Sequence, residues 1–190
     1  KKKGTIVDKG VMNNHMSSRI FQYLEGEGIK THFVKNINDR EMLVKKLDII
    51  PIEVVLRNVA AGSLCKRLGI EQGMILQKPI LEFFYKSDPL GDPMINECHV
   101  DVFGWATNKE VEILKAEGIR INNLMTKFFE ERNIRLVDFK LEFGRHKGEV
   151  ILGDEISPDG CRLWHLETNE KMDKDRFRFN MGNVEEKYQE

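Results

Sequence analysis

Apolar and charged positions alternate without a break from Val137 to Phe143 in the stretch "LVDFKLEFG". Successive side chains of a strand point to opposite faces. A strand here therefore puts Val137, Phe139, Leu141 and Phe143 on a core face and Asp138, Lys140 and Glu142 on the other. That second face is either solvated or the floor of a site for something charged.

The rest of the chain mixes both periods. "DKG" at 8–10 predicts a turn, and residues 13–28 a helix, because Met16, Ile20, Phe21 and Leu24 recur at helical spacing before glycines. "KTHFV" is a strand candidate, and residues 41–59 hold two strand-like runs, with "DIIP" between them as a turn or a crossing between lobes. "SLCKRLG" predicts a short helix with Ser63 as N-cap and Gly69 past its end. "PILEFFYK" is another strand, followed by a rigid acidic loop at 87–93. "TNKE" at 107–110 is a capping box that opens a long helix carrying Val111, Leu114, Ile121, Leu124, Met125 and Phe128 on its apolar side and closing by Asn133. Gly118 inside that helix costs ~1 kcal/mol relative to alanine. After the opening stretch come a turn at "RHKG" and a strand, "EVILGDE". Hairpins alternating with helices predict an α+β fold.

Composition narrows the class. The 190 residues are 41% hydrophobic and 32% charged, which suits a folded protein with a substantial core. A net charge of −1 supplies no global field for nucleic acid, and no apolar run approaches the roughly 20 residues needed to span a bilayer. Cys65, Cys98 and Cys161 are widely spaced without a C-x-x-C, which argues against zinc or a disulfide framework and for a reducing compartment. The chain opens on "KKKGTIVDKG" without Met, so a fragment of a longer protein is expected.

Three groups of residues carry candidate chemistry. The hairpin joins Asp138, Lys140 and Glu142 to Asp154 and Glu155 at the end of its partner strand. Carboxylates suit Mg²⁺, which takes one or two of them plus substrate phosphates and water. The bland alternative is a solvated face laced with ion pairs. Glu142 and Asp154 share a face only if the hairpin has an odd-length turn or a bulge, which Gly153 is placed to supply. In "VVLRNVAAGSLCKRLGI", Lys66 and Arg67 are expected in the first turn of the helix, where cations oppose the macrodipole unless an anion sits there. Free helix N–H groups, the Ser63 hydroxyl and Arg57 are the donors for such an anion; the alternative is a basic helix facing water. Lys86 is a weaker candidate, as readily an exposed strand end as a ligand contact, and Asp92, Glu97 and the basic positions of "KMDKDRFRFN" (Lys171, Lys174, Arg176, Arg178) are better read as solvated. The five histidines show no metal spacing, and Trp105 and Trp164 read as core. Acids for a divalent cation together with phosphate-binding positions point to phosphoryl-transfer chemistry.

"EVVLRNVAAGSLCKRLGI", "DPLGDPMINE", "LVDFKLEFG", "GDEISPDGCRLW" and "KMDKDRFR" resemble, along nearly the whole chain, the SAICAR synthetase family of phosphoribosylaminoimidazole-succinocarboxamide synthases. The resemblance implies an ATP-dependent ligase that joins L-aspartate to the carboxylate of carboxyaminoimidazole ribotide in purine biosynthesis. It implies a two-lobed, ATP-grasp- or kinase-like fold: residues 1–50 as the remainder of a smaller lobe, 51–190 as the larger lobe, and nucleotide in the cleft between. By resemblance, Arg57, Ser63 and Arg162 grip the ribotide phosphate, and Asp138 and Lys140 meet the imidazole substrate and reacting groups. Glu142 and Asp154 hold Mg²⁺ and nucleotide phosphates, Lys86 contacts nucleotide, and Lys45 and Ile49 form the adenine hinge. A glycine-rich "GKAK" hairpin over the ATP phosphates belongs to the family pattern, and this sequence starts beyond it. A cytoplasmic homodimer is expected, without nucleic-acid or membrane partners. Another ATP-grasp-type ligase and a non-catalytic nucleotide-binding module are the alternatives.

Overall fold

The computed structural model describes residues 8–172. Helix α1 (Lys9–Gly26) opens the chain, followed by a two-stranded antiparallel ribbon of β1 (Phe33–Asn38) and β2 (Glu41–Val44). Then come β3 (Asp48–Val59), α2 (Ser63–Leu68), β4 (Ile75–Tyr85), β5 (Met94–Ile95), α3 (Glu97–Val102), α4 (Asn108–Glu130), β6 (Ile134–His146), β7 (Glu149–Gly153) and β8 (Cys161–His165). The larger sheet runs β5-β4-β3-β6-β7 with β8 also paired to β6, and all its named pairings are antiparallel. The α+β expectation holds.

Sequence and structure differ at element edges. Residues 8–10 are not a turn but the start of α1, entered from a left-handed Asp8. "DIIP" is the first part of β3, so the break between strands falls at residues 45–47. The division expected at 50/51 lies inside β3, and Ile20, Phe21 and Leu24 of α1 share one core cluster with Val54, Leu141 and Phe143.

One face of the larger sheet is apolar. Ile52, Val54, Leu56, Phe139, Leu141 and Phe143 pack there with Leu114, Ile121 and Met125 of α4, all nearly inaccessible to solvent. Gly118 belongs to this contact: a Cβ there would lie 3.4 Å from both Leu81 Cδ1 and Val54 Cγ1. Its helix-propensity cost thus goes with close helix–sheet approach. The capping box forms as read, Thr107 Oγ1 accepting from Glu110 N and Glu110 Oε2 from Thr107 N.

The core face has one exception. β6 pairs with β8 as Leu136↔Leu163 and then Asp138↔Arg162, so Val137 is an extra residue in a bulge. Leu136 takes the core position, and Val137 packs instead with Val59, Ala61 and Trp164.

Two glycines seat the break before β3. A Cβ on Gly144 would lie 2.7 Å from Leu47 Cβ, and one on Gly153 would lie 2.6 Å from Leu47 Cδ1. Leu47 thus occupies a slot that only side-chain-free positions on adjacent strands leave open.

Candidate active site

The opposite face of the same sheet carries charge. Cross-strand pairing sets Arg57 opposite Asp138, Val55 opposite Lys140 and Glu53 opposite Glu142, while Asp138 also faces Arg162 on β8. Glu82 on β4 pairs with Val55 and so joins this face. Asp138 and Glu142 are only 4% and 2% exposed. These groups form a buried network, not a solvated surface.

The network has two poles. At one, the Arg57 guanidinium, 3% exposed, donates to Glu82 Oε2 at 2.8 Å, Asp138 Oδ2 at 2.9 Å and Ser63 Oγ at 3.0 Å. Arg162 Nη1 donates to both Asp138 oxygens at 2.9 and 2.8 Å, and Arg67 pairs with Glu82. Three guanidiniums thus share two carboxylates beside the exposed Ser63 hydroxyl, a net positive pole. Gly62 enables the approach: with φ of 56°, it would bring a Cβ to 2.5 Å from Arg162 Nη2.

At the other pole, Lys140 Nζ donates to Glu53 and Glu142 at 2.7 Å each and lies 3.9 Å from Asp154. Lys86 Nζ also donates to Glu142 at 2.7 Å. Directly opposed like charges destabilise a sheet; the ammonium of Lys140 between Glu53 and Glu142 resolves that conflict. Three carboxylates against two ammoniums make this pole negative. Burial alone would raise the Glu142 pKa and lower that of Lys140. Their mutual hydrogen bond, with those from Lys86 and to Glu53, reverses both shifts, so both groups are held charged. At Asp154 the help from Lys140 is outweighed. Desolvation and the Glu142 charge push its carboxyl up to about 6.

Several expectations need correction. The Glu142–Asp154 juxtaposition does not come from an odd-length turn. Glu142 pairs with Gly153, an odd sum, across a two-residue turn of left-handed Lys147 and Gly148. Asp154 instead follows the strand end with φ of 56°, and that left-handed residue brings its side chain beside Glu142 and Lys140. Gly62, not Ser63, is the N-cap of α2, and Ser63 makes no capping bond. The helix has only six residues, so Lys66 and Arg67 form its last turn, where cations favour the dipole. The macrodipole argument for an anion therefore lapses, and the arginine–Ser63 geometry replaces it. Arg57 is 3% exposed and braces Ser63 and Asp138 from beneath.

Lys45 and Ile49 are half-buried, with Lys45 N bonded to His32 O at 2.7 Å and its Nζ to Thr31 O at 2.9 Å. They lie on the break before β3 and at the start of β3, not in the charged network. Asp92 accepts from Ser87 N and shapes its loop, while Glu97 pairs with Lys115. Lys174, Arg176 and Arg178 lie outside the described residues. Sequence reasoning missed Glu53, Glu82 and the Arg67–Glu82 pair. Charged residues inside the apolar runs of β3 and β4 were the available signal.

A buried strip with a cationic and an anionic pole has the charge pattern that suits multiply charged small molecules. Comparison narrows it further. The SAICAR synthetase family model matches residues 1–190. The phosphoribosylaminoimidazole-succinocarboxamide synthase of Chlorobium phaeobacteroides is 58% identical over 190 residues, all of this chain and 80% of that protein. The crystal structure of the Ehrlichia chaffeensis enzyme aligns with a TM-score of 0.96 at 50% identity, covering all of this chain and 81% of that one. A SAICAR synthetase solved in complex with ADP aligns with a TM-score of 0.96 at 44% identity, over 99% of this chain and 81% of that one. The chain belongs to the SAICAR synthetase family. It is a ligase that forms a C–N bond, driven by ATP, in purine biosynthesis.

Proposed function

We propose that the positive pole holds the phosphate of carboxyaminoimidazole ribotide and the negative pole holds the nucleotide phosphates with Mg²⁺. The carrying observation is the opposite polarity of the two ends of one buried strip. Ser63, Arg162 and the bracing Arg57 serve the ribotide phosphate. Asp138 of the positive pole and Lys140 of the negative pole, two residues apart on β6, meet the substrate and its reacting groups. Glu142, Asp154 and Lys86 face the nucleotide phosphates, and Lys45 and Ile49 line the adenine hinge of a cleft between two lobes. The separate β1–β2 ribbon ahead of β3 supports assigning residues 1–50 to the smaller lobe and 51–190 to the larger.

The residues suit Mg²⁺ of one kind. Among the described residues no group of three His, Cys, Asp or Glu side chains forms an all-protein cage. Glu142 and Asp154 supply two carboxylates, and the raised Asp154 pKa marks negative charge that a cation would relieve. That matches an ion completed by substrate phosphates and water. When bound, Mg²⁺ neutralises charge on the transferring phosphoryl oxygens.

In this reading Lys140 donates to the γ-phosphate beside the ribotide carboxylate. Transfer of the phosphoryl group gives an acyl phosphate, with ADP leaving. The amine of L-aspartate attacks the acyl carbon, and phosphate departs. Closure of the lobes protects the acyl phosphate from water. A cytoplasmic homodimer completes the proposal, supported by cysteines without a C-x-x-C spacing and by the more than half-exposed Leu68, Met74 and Ile75.

The test is ADP release that requires both aspartate and the ribotide. Release with another acceptor in place of the ribotide would overturn the substrate assignment, and ATP binding without turnover would point to a binding module.

A further inference from the structure

The regular pairing of β3 breaks just past Arg57. Its ladder with β6 ends at the Arg57–Asp138 pair, and its register with β4 shifts between Arg57 and Val59. On β6 the Val137 bulge lies at the same level. One side chain fills this gap. Asn58 Nδ2 donates to Leu136 O, the carbonyl entering the bulge, at 3.2 Å and to Asn122 Oδ1 at 2.9 Å. Asn122 Nδ2 returns a bond to Asn58 Oδ1 at 3.0 Å.

Asn122 is 3% exposed on the apolar side of α4, where a leucine would pack without any polar demand. A reciprocal amide pair here fixes the orientation of both side chains, and the helix thereby holds the Asn58 amide against the bulge carbonyl. The bulge matters to the site. Were the ladder to run on from Leu136↔Leu163 without a bulge, Arg162 would pair with Val137 instead of Asp138, and the Arg57–Asp138–Arg162 alignment would be lost.

We propose that Asn58, oriented by Asn122, is a positioning residue that locks the β6 bulge and so holds Asp138 and Arg162 in register beneath the ribotide phosphate. The pair touches no substrate. The proposal rests on the reading of the positive pole given above.

The test is the Asn58→Leu/Asn122→Leu double variant, which removes both partners and leaves no amide unpaired inside the pair. Its KM for the ribotide should rise about tenfold, the loss of one well-aligned charged contact. Its KM values for ATP and aspartate should stay within about twofold. A general structural role would move all three together, and that result, or an unchanged ribotide KM, overturns the proposal. Should the double variant not fold, Asn122→Ala keeps the Asn58–Leu136 bond but frees its orientation. A selective rise of about threefold is then expected, and none would overturn it. Arg162→Ala measured in parallel separates the two levels. If it raises the ribotide KM while the asparagine variants do not, only the positioning role falls. If it leaves that KM unchanged, the reading of the positive pole falls and the positioning role with it.

Discussion

Glu142 accepts from two ammonium groups while 2% exposed, so removing its charge affects more than a ligand. Glu142→Ala would take an acceptor from both Lys140 and Lys86 and leave a cavity, so it would mix lost stability with lost chemistry. Glu142→Gln keeps the shape and is the cleaner probe. Its kcat should fall at least ~100-fold, as loss of transition-state charge stabilisation does, with the circular-dichroism spectrum unchanged; a rate near wild type at saturating Mg²⁺ would contradict the role. Gly62→Ala tests the other pole. A Cβ at 2.5 Å from Arg162 Nη2, at positive φ, must displace the guanidinium or the turn. The ribotide KM should rise while ATP affinity, measured by calorimetry, holds.

At the scale of elements, α4 is tied to the β6–β7 hairpin through its own cap. Glu110, besides closing the capping box, takes a bidentate grip from Arg145, and these bonds hold its carboxyl down at about 2. The folded-state pKa lies below the unfolded value of 4.5, so the stabilisation is complete above that value and is lost as pH falls towards 2. Glu110→Gln should therefore lower Tm at pH 7, and the gap to wild type should close as pH drops below about 4.5. Thr107→Ala should cost ~1 kcal/mol in denaturant melts without altering kcat.

The same scale shows what was legible in advance. The alternation of "LVDFKLEFG" placed Asp138, Lys140 and Glu142 on one face because that pattern is local. Thr107–Glu110 was legible for the same reason. The partners that give those charges meaning were not: Glu53 and Glu82 lie on strands remote in sequence, and only pairing register brings them near. The slot for Leu47 and the left-handed Asp154 likewise depend on neighbours that no local window contains. The family resemblance of five long motifs held over the whole chain, whereas the dipole argument at α2 failed because a six-residue helix leaves no separate first turn.

For the whole molecule, bound nucleotide should act as a stabiliser of the folded state. ADP with Mg²⁺ at about 100 times its Kd should add about 2.7 kcal/mol. ADP with chelator should raise Tm less, because the Asp154–Glu142 repulsion then remains. Equal shifts in calorimetric melts would remove the metal from the negative pole. The described helices include none long and apolar enough to cross a membrane, and the charged face of the sheet is the feature that most distinguishes this molecule.

That face has a fixed length. Asp138 and Glu142 sit four residues apart on one strand, about 14 Å at ~3.4 Å per residue. In the proposed reading the strand works as a molecular ruler. A ligand gripped at one mark presents its far end to the chemistry only if its own span matches, so analogues shortened or lengthened between phosphate and carboxylate should bind yet miss the reactive zone.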